Sequence, residues 1–465
     1  MHFVYEETSP LDNRCYEELG LTSDLLMEHA GFALAKAVKK KLTCKGKALF
    51  ICGVGNNGAD GMVAARILHQ DYDVAMFIPF GVKSKMAKLQ LQRAQKVGVS
   101  IVENLTKADV YVDALFGAGL NRELDVQSCE LLKEINTREG YKIACDIPSG
   151  IMSNLQLSKV IFEAHETIAM GALKCSLLHD NVKDAVGKIK VANLGISRKI
   201  YETPSDIFLL QKKDLRLPLR KKKNSNKGSF GHVSVLCGQK EGACILASMS
   251  AFHFGAGLVT AIGEKIKNLP PYIMHAKTLP KNANVIVAGM GLEEPFDEEM
   301  VRSFLLNNAL PLVIDASLCH NLMIKEIVQS KKQVVLTPHP KEFASILKLT
   351  CNEEADTEQI QQNRFGYAKL FSQKFPHIVL VLKGANTIIA YENKLYINAF
   401  GTQALAKGGS GDVMSGMIGS LIAQGYTPKD ASISASLAHA LVAKKFTCNN
   451  YSLTPIDLCK GLKWL

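Results

Sequence analysis

Short apolar runs rich in β-branched residues recur along the whole chain, and most are followed by a glycine-containing turn and then by helical periodicity. This alternation is typical of βαβ units and predicts parallel sheets that are buried on both faces. The predicted strands of the first half are KALFICGV, VAMFIPF, DVYVDALF, YKIACDI, ETIAMG and KIKVANL. Those of the second half are HVSVLCG, LVTAIG, NVIVAG, LPLVIDA, QVVLTP, HIVLVL and NTIIAY. We therefore expect an α/β protein with two sets of strands.

A basic, proline-containing segment around residues 205 to 225 separates the two sets of strands and predicts a domain boundary. We assign residues 1–210 to a first domain, 211–224 to a basic linker and 225–465 to a second domain. Near the start, LTSDLLMEHAGFALAKAVKKKL has apolar residues at helical spacing, with Thr22 or Ser23 as its N-cap. We expect this helix to pack on the first sheet.

The composition excludes several classes of protein. With 47% apolar and 21% charged residues among 465, the chain is too apolar for wholesale disorder and long enough for two or three domains. No run approaches about 18 uninterrupted apolar residues, and the N-terminus lacks the basic head and apolar run of a signal peptide. The 12 cysteines are scattered without a C-x-x-C pair, which favours buried, reduced thiols. We expect a cytoplasmic protein that does not bind membranes.

The net charge of +11 does not predict a nucleic-acid partner, because most of it lies in one segment. Between Lys212 and Lys227, the stretch KKDLRLPLRKKKNSNK holds eight basic residues against one acidic residue. It has no interleaved aromatic residues on which bases could stack, so we interpret it as a solvated linker. A basic rim would also favour the approach of anionic nucleotides.

In the first half, FICGVGNNGADGMVAARIL reads as a strand, a tight turn and a helix. It matches G-x-G-x-x-G through Gly53, Gly55 and Gly58, so a dinucleotide-binding turn has to be considered. Two details count against that interpretation. Asp73, 20 residues after Gly53, precedes the second strand instead of ending it, and the turn carries asparagines that a pyrophosphate does not require.

Further polar residues follow later strands of the first half, where α/β sheets place their sites. Asp113 ends DVYVDALF and precedes a second glycine turn, while Asp146 ends YKIACDI and precedes Ser149. Either aspartate could simply cap a helix. Three such motifs at successive strand ends favour a functional site, and Asn57, Asp113 and Ser149 supply the oxygen ligands that suit an alkali or alkaline-earth cation.

The motifs LMEHAG, GVGNNGADGMVAAR, VDALFGAGL and DIPSG, in this order, resemble the NAD(P)H-hydrate epimerase domain over roughly residues 1 to 205. The resemblance implies a Rossmann-like three-layer αβα fold that interconverts the R and S forms of hydrated NADH and NADPH. It implies Asp146 as the catalytic residue and K⁺ ligands at Asn57, Asp113 and Ser149. The implied substrate-binding residues are Asn56, Asn57, Gly58, Ala59, Asp60, Gly117, Ala118, Gly119, Leu120, Asn121, Arg122, Glu123 and Asp146. His29 stands where the family usually has asparagine.

The second half contains AKGGSGDVMSGMIGSLIAQG, in which Gly408, Gly409, Ser410 and Gly411 form a turn that opens a helix. Free N–H groups and the positive end of the helix dipole make this turn a place for a phosphate group. Asp412 follows at the helix start, where a base could deprotonate an attacking hydroxyl group. It could instead be a helix cap, but four small residues before it exceed what a cap requires.

Together with KGSFGHV, GACILA, GAGLVT, GMGL, IDA, TPHPKEF and LKGANT, this motif resembles the ribokinase-like NAD(P)H-hydrate dehydratase domain over about residues 225 to 465. The resemblance implies an αβα fold in which Lys383, Gly384, Ala385, Asn386, Thr387 and the turn Gly408, Gly409, Ser410 and Gly411 bind the nucleotide. It implies contacts of Ala243, Gly291, His339 and Asp412 with the hydrated nicotinamide. Met290, Ser317 and Lys341 depart from the family pattern.

The two resemblances together imply a bifunctional repair enzyme. Hydrated NAD(P)H carries a hydroxyl group on C6 of the ring, and hydroxide is a poor leaving group. Phosphorylation by ADP or ATP with Mg²⁺ would turn it into phosphate, with Asp412 as the base. We expect ADP as the co-substrate, AMP and phosphate as products, the S form as the dehydrated epimer, and a homo-oligomer.

Two alternatives remain at this stage. The second half could be a ribokinase-like small-molecule kinase that releases its phosphorylated product. The first half could be a non-catalytic binding module, since related folds occur in scaffolds. A product that keeps its phosphate would favour the first alternative, and an Asp146 variant with full activity would favour the second.

Overall fold

The computed structural model describes residues 1–43, 46–153, 156–293 and 295–465, which form two compact units. The first unit is Phe3–Ser205, and the second is Asp206–Leu465 together with Met1–His2. The strands up to residue 205 are β1 His2–Tyr5, β2 Lys47–Cys52, β3 Asp73–Phe77, β4 Ser100–Val102, β5 Val110–Ala114, β6 Tyr141–Cys145, β7 Glu166–Met170, β8 Leu173–Lys174 and β9 Lys188–Ala192. The helices there are α1 Ser9–Glu18, α2 Ser23–Lys39, α3 Asn56–Leu68, α4 Lys85–Lys96, α5 Val126–Thr137 and α6 Arg198–Tyr201.

The second unit contains the remaining elements. Its strands are β10 Ile207–Leu209, β11 His232–Leu236, β12 Leu258–Ile262, β13 Met274–Ala276, β14 Val285–Ala288, β15 Leu312–Ile314, β16 Val334–Leu336, β17 Ile378–Leu382, β18 Thr387–Tyr391 and β19 Lys394–Asn398. Its helices are α7 Glu241–His253, α8 Glu298–Leu306, α9 Met323–Gln329, α10 Pro340–Cys351, α11 Thr357–Gln362, α12 Arg364–Lys374, α13 Ser410–Ala423, α14 Pro428–Lys445 and α15 Pro455–Gly461.

The first unit has a parallel sheet of order β4-β3-β2-β5-β6-β7-β9. The chain order reverses at β2, so the crevice between the carboxyl ends of β2 and β5 is where this fold binds ligands. One face of the sheet packs against α2 and α3, and the other packs against α5 through Leu132 and Ile135. The predicted cap of α2 is confirmed, because the Thr22 side chain accepts a hydrogen bond from the amide of Leu25 at 3.4 Å.

The second unit has a sheet of order β13-β12-β11-β14-β15-β16-β17-β18-β19-β10. Helices α7, α13, α14 and α15 cover one face, where Val233 and Val287 are fully buried. Helix α12 packs against β17, β18 and β19. Both units are therefore layered α/β domains, as the alternating pattern predicts.

All of the predicted strands are present, but the prediction of purely parallel sheets is wrong for β18, which runs antiparallel to both β17 and β19. The turn from β18 to β19 is only Glu392 and Asn393, with φ of 47° and 62°. Two residues can join only antiparallel strands, and positive φ at both positions is the geometry of a tight hairpin. The described residues also contain β1, β4, β8, β10, β13 and β19, which the sequence did not predict; all except β19 are only two to four residues long, too short for a clear pattern.

The segment 211–224, which the sequence predicts as a linker, packs in part on the second unit. Strand β10 pairs with β19, and Leu210 is only 1% exposed in the core of the second unit. The amide of Arg216 donates to the Ser434 Oγ atom, and its guanidinium pairs with Asp430 at 3.3 Å. Residues 221–229 are exposed, as expected. The compact second unit therefore begins at Asp206, because apolar residues interspersed among the basic ones pack on its sheet and on α14.

A fragment of residues 206–465 is expected to be more stable than one of residues 222–465. The shorter fragment loses β10 and the buried Leu210, and losing one buried leucine alone costs at least about 2 kcal/mol of the free energy of unfolding. Urea unfolding of the two fragments, followed by circular dichroism, measures the difference. Equal midpoints would show that the segment before residue 222 contributes nothing to this core.

Within the described ranges, each cysteine is a free thiol, in agreement with the expectation of reduced cysteines. No helix there is both long enough and apolar enough to cross a membrane.

Candidate active sites

A cavity of about 670 Å³ opens in the first unit at the carboxyl ends of β2 and β5. It is lined by residues from seven segments: Thr8, Ser9, Asp12, Val54, Gly55, Asn56, Asn57, Asp60, Ser84, Leu115, Phe116, Gly117, Ala118, Gly119, Leu120, Asn121, Arg122, Asp146, Met170, Lys174 and Leu194. Most of the residues that the epimerase resemblance implies for substrate are among them. Gly58 and Ala59 are buried beneath the cavity wall, and Glu123 is exposed near Lys159.

The glycine turn after β2 is shaped by close backbone packing. A Cβ atom at Gly53 would lie 1.9 Å from the Leu115 carbonyl oxygen, and one at Gly58 would lie 2.0 Å from the Gly53 carbonyl oxygen. These glycines therefore let α3 begin at Asn56, immediately after the sheet. The two asparagines occupy the first helical positions and face the cavity.

Asp113 and Ser149 form a buried pair beside this turn. The Ser149 hydroxyl donates to Asp113 Oδ1 at 2.6 Å, and the Ser149 amide donates to Oδ2 at 2.7 Å. Asp113 is fully buried, and burial raises the pKa of its carboxyl group to about 6 despite these hydrogen bonds. Within the described ranges, its hydrogen-bond donors are the Leu115 amide and the amide and hydroxyl groups of Ser149, all of them neutral.

Asn57 packs against the second glycine turn, which contains Gly117 and Gly119. A Cβ atom at Gly117 would come within 2.9 Å of the Asn57 Oδ1 atom, and the Phe116 amide donates to Ser149 Oγ at 3.0 Å. The Asn57 side-chain nitrogen is buried and has no hydrogen-bond partner in the part of the chain that is described. Because Asp113 accepts a hydrogen bond from the Leu115 amide at 3.1 Å, all three predicted metal ligands contact residues 115–117.

Asp146 adopts a left-handed backbone conformation, with φ of 65°, at the end of β6. Its Oδ1 atom accepts hydrogen bonds from the Lys174 ammonium group at 2.6 Å and from the Met170 amide at 3.0 Å. Its Oδ2 atom accepts from the Ala118 amide at 3.4 Å. A strained residue that is held by several partners is common at functional sites, because the surrounding fold must stabilise it.

The sequence did not single out Asp12 or Lys174, which complete this cavity. Burial raises the pKa of Asp12, which accepts a hydrogen bond from the Tyr201 hydroxyl group at 2.8 Å. The pKa of Asp60 is well above its usual value, mainly because the side chain is buried and also because the negative charges of Asp146 and Asp12 are near. Asp12 lies in α1, away from any glycine turn, so no local pattern marks it, whereas Lys174 lies three residues after the predicted strand ETIAMG, a signal that could have identified it.

In the second unit, α13 begins at Ser410 and presents its N-terminus at the predicted phosphate turn. Gly409 has φ of 87°, and a Cβ atom there would lie 2.7 Å from Leu246. The Ser410 hydroxyl contacts the His439 ring at 3.2 Å, and burial lowers the pKa of that histidine to about 4. Gly408 faces open space. Backbone strain and crowding thus require glycine at Gly409, while Gly408 leaves room for a ligand.

Asp412 lies near several other charged side chains. Burial raises its pKa to about 6, with further upward contributions from Asp315 and Glu342 and an opposing one from Lys383. A carboxyl group with this pKa can both take and release a proton near neutral pH. This is what the prediction of a catalytic base at Asp412 requires.

Lys383 stands at the centre of these charges. Its ammonium group donates to Asp315 Oδ1 at 2.7 Å and lies 3.7 Å from Glu342 Oε2. Asp315 also accepts a hydrogen bond from Ser415 at 2.7 Å, and it precedes Ala316, which has φ of 49°. Burial alone would raise the pKa of Asp315, but Lys383 and the hydrogen bonds lower it. A Cβ atom at Gly411 would lie 3.2 Å from the Lys383 nitrogen, so the predicted nucleotide residues meet here.

The remaining predicted residues lie on loops and in the first turns or residues of helices and strands of the second unit. Exposed His339 caps α10, where its ring contacts the Glu342 carboxylate at 3.1 Å, and Gly384 and Ala385 are exposed in the turn from β17 to β18. Asn386 is buried, and Thr387 begins β18. Ala243 and Gly291 lie together, because both are hydrogen-bonded to the backbone of Lys240. The sequence did not assign a role to Glu342 or Ser415.

Comparison with known proteins matches each unit. A family model described as NAD(P)H-hydrate dehydratase matches residues 233–463, and one described as YjeF-related protein N-terminus matches residues 23–176. The bifunctional NAD(P)H-hydrate repair enzyme Nnr of Helicobacter pylori is 42% identical and covers 99% of both chains. The protein of the same name in Coxiella burnetii is 30% identical over 92% of this chain and 91% of its own.

A solved structure, ADP/ATP-dependent NAD(P)H-hydrate dehydratase from Bacillus subtilis co-crystallized with ATP/Mg²⁺, is 26% identical over 53% of this chain and 92% of its own, with a TM-score of 0.47. The Helicobacter relative, by contrast, aligns across both units at once. Because it is 42% identical to such an enzyme over 99% of both chains, this chain belongs to the family of bifunctional NAD(P)H-hydrate repair enzymes.

Proposed function

We propose that the second unit dehydrates the S form of hydrated NADH or NADPH at the expense of ADP, giving AMP and phosphate. The observation that supports this most strongly is Asp412, a carboxyl group with a pKa of about 6 at the N-terminus of α13. Asp412 takes the proton of the C6 hydroxyl group while that oxygen attacks the terminal phosphoryl group. The helix N-terminus at Gly408 to Gly411 and the Lys383 ammonium stabilise the developing negative charge. Phosphate then leaves as the ring nitrogen donates its electrons to form a C6=N bond, and loss of a proton from C5 to solvent forms the C5=C6 bond and returns those electrons to the nitrogen, which gives NAD(P)H.

Asp315 and Glu342, which both face the Lys383 ammonium group, are oxygen donors of the kind that a divalent cation binds, and the nucleotide phosphates would supply further ligands. Asp315, Glu342 and Asp412 are hard oxygen donors that gather around a single ammonium group, so the local balance leaves room for positive charge. Asp315 and Glu342 would hold Mg²⁺ near the nucleotide phosphates. When bound, Mg²⁺ would neutralise the phosphoryl oxygens. Lys383, Gly384, Ala385, Asn386 and Thr387 would position the nucleotide, and Ala243, Gly291 and His339 the nicotinamide.

The first unit, in this proposal, converts the R form into the S form with Asp146 as its catalytic residue. Asn56, Asn57, Asp60 and the residues from Gly117 to Arg122 line the cavity around the substrate. Spontaneous hydration yields two epimers, whereas the dehydratase accepts one. An epimerase fused to it therefore allows both to be repaired.

A K⁺ ion fits beside Asp113. The carboxylate is fully buried and meets only neutral donors, and Asn57 and Ser149 supply further oxygens beside the Phe116–Gly117 backbone. A buried charge without a partner is costly, and a weakly hydrated monovalent cation would compensate it. K⁺ would then hold the two glycine turns in place around the substrate.

Replacing Asp113 with asparagine is expected to weaken both epimerisation and its dependence on K⁺. The substitution keeps the shape of the side chain but removes the negative charge that would attract the cation. Epimerisation of the R form is measured over a KCl series at constant ionic strength, with choline as the replacing cation. An unchanged K⁺ dependence in this variant would count against a site at Asp113.

One assay tests the whole proposal. The full chain is incubated with both epimers, ADP, Mg²⁺ and K⁺, and formation of NADH is followed by its absorbance while AMP and phosphate are quantified. We expect complete conversion of both epimers with one phosphate released for each NADH. A product that retains its phosphate would favour the small-molecule kinase instead.

Two further proposals concern the state of the protein, a homo-oligomer in the cytoplasm that acts on small molecules. Light scattering of the purified chain and fractionation of cells that express it measure these properties. A monomeric mass or a membrane-bound fraction would contradict them.

A further inference from the structure

The cavity of the first unit contains more charge than its epimerase motifs account for. Asp12 on α1, Asp60 on α3, Asp146 after β6 and Lys174 in β8 all line it. They come from four separate segments, so their convergence is a property of the fold. Three carboxyl groups and one ammonium group therefore share one small volume.

The carboxyl groups of Asp60 and Asp146 have opposite surroundings. Asp146 receives hydrogen bonds from the Lys174 ammonium at 2.6 Å and the Met170 amide at 3.0 Å. Asp60 has no hydrogen-bond partner for its carboxyl group within the described ranges, and burial together with the nearby Asp146 and Asp12 raises its pKa. A pair of carboxyl groups whose environments differ in this way is suited to act as one acid and one base.

We propose that Asp60 is a second catalytic residue of the epimerase and that Lys174 is a positioning residue. Asp60 gives a proton to the departing C6 hydroxyl group, and Lys174 holds Asp146 as the carboxylate that takes a proton from the replacing water. The inference rests on the role proposed for Asp146. It adds the proton donor that the departure of a hydroxyl group requires.

The reaction balances as a loss and return of water. The C6–O bond breaks as the ring nitrogen lone pair forms a C6=N bond, and the leaving oxygen takes the proton of Asp60. Water then adds to the opposite face of C6, the π electrons return to nitrogen, and Asp146 takes the proton of that water. Asp60 is left ionised and Asp146 protonated, which is the starting state for the reverse reaction. Proton exchange with solvent restores the first state.

Replacing Asp60 with asparagine is expected to lower kcat for epimerisation by about 10²- to 10⁴-fold, the range for loss of a general acid. Dehydration of the S form by the same protein serves as an internal control and should be unchanged. Asp71→Asn, which changes an exposed carboxyl group beyond the end of α3, is the matched control. Epimerisation by Asp60→Asn within threefold of the parent would overturn the role of Asp60.

The oxygen isotope of the product tests the chemistry independently. In H₂¹⁸O, each conversion of the R to the S form should place one ¹⁸O at C6, which is measured by mass spectrometry. The Asp412→Asn variant is used so that the S form is not consumed by dehydration. Epimerisation without ¹⁸O uptake would mean that the C6–O bond stays intact, and the acid role of Asp60 would fail.

A comparison of kcat with KM tests Lys174. Its ammonium group donates to Asp146 Oδ1 at 2.6 Å and to the Met170 carbonyl oxygen at 3.2 Å, so it fixes the direction of the Asp146 carboxyl group. Lys174→Met should therefore lower kcat for epimerisation by about 10-fold or more and change KM little. Lys174→Arg should recover most of the lost kcat, whereas a purely structural role would lower stability and leave kcat of the folded protein unchanged.

The outcomes separate this inference from the proposed function. If Asp146→Asn epimerises as fast as the parent, the proposed role of Asp146 fails. If Asp146→Asn is inactive but Asp60→Asn is not, or if Lys174→Met keeps the parent kcat, only the corresponding part of this inference fails.

Discussion

Asp412→Asn is expected to lower the rate of dehydration by at least about 100-fold while epimerisation continues at the parent rate. The amide has nearly the shape of the carboxyl group but cannot accept the proton of the C6 hydroxyl group. The rate is measured as NADH formation from the S form with ADP and Mg²⁺. Because burial disfavours the charged carboxylate, the variant should unfold in urea at the parent midpoint or above it. Parent-like dehydration would remove Asp412 from the mechanism.

The same residue sets the expected pH dependence of dehydration in the parent. A base works in its ionised form, and the pKa of Asp412 is about 6. The value of kcat/KM should therefore fall as the pH is lowered through about 6. Glu299→Gln, which changes an exposed carboxyl group on α8, is the control and should leave the profile unchanged. A profile that stays flat from about one pH unit below this pKa to about one unit above it would contradict this assignment.

Asp146→Asn is expected to reduce epimerisation by at least about 100-fold, leaving the fold and the dehydratase intact. With the R form as the sole substrate, formation of NADH should slow to the rate of spontaneous epimerisation, whereas the S form should be dehydrated as before. Adding a separate epimerase should restore the coupled reaction. Conversion of the R form at the parent rate would mean that another group acts, or that the first unit is a binding module.

The structure also decides which substitution is informative at this position. Asp146 has φ of 65°, and asparagine tolerates the left-handed region better than alanine does. Asp146→Ala would leave the Lys174 ammonium buried without its carboxylate, and breaking a buried pair by removing one partner costs about 3–5 kcal/mol. Loss of activity in the alanine variant could then reflect unfolding. The asparagine variant retains an oxygen for the Met170 amide and Lys174.

Much of the fold and of both sites could be predicted from local pattern. Buried parallel strands are short, almost wholly apolar and bounded by glycine turns, and every strand predicted on that basis is present. Asp113, Asp146 and Asp412 could be singled out because polar residues interrupt such patterns at strand ends or helix starts. The glycines around them were recognisable for the same reason, since close backbone approach and positive φ leave a local signature.

The packing of residues 206–218 and the antiparallel β18 were not predicted from the pattern. Basic residues dominate the composition of that segment and suggest an exposed linker. Its burial depends on Leu210 and on the pairing of β10 with β19, a strand that lies far along the chain. Strand β18 has the same apolar character as its parallel neighbours. Only the two-residue turn at Glu392 and Asn393 distinguishes it, and its consequence follows from backbone geometry.

By itself, then, the sequence determined the α/β class, the two sets of strands and the motifs that resemble the two halves of a repair enzyme. The tertiary structure alone decided which charges meet. Lys174 bonds to Asp146, and Lys383 bonds to Asp315, across 28 and 68 residues of chain. Periodicity and turn chemistry act over a few residues, whereas the Coulomb energy and the cost of burying a charge depend on distance in space. The protonation of Asp60 and Asp412 is therefore set by neighbours that no local pattern connects to them.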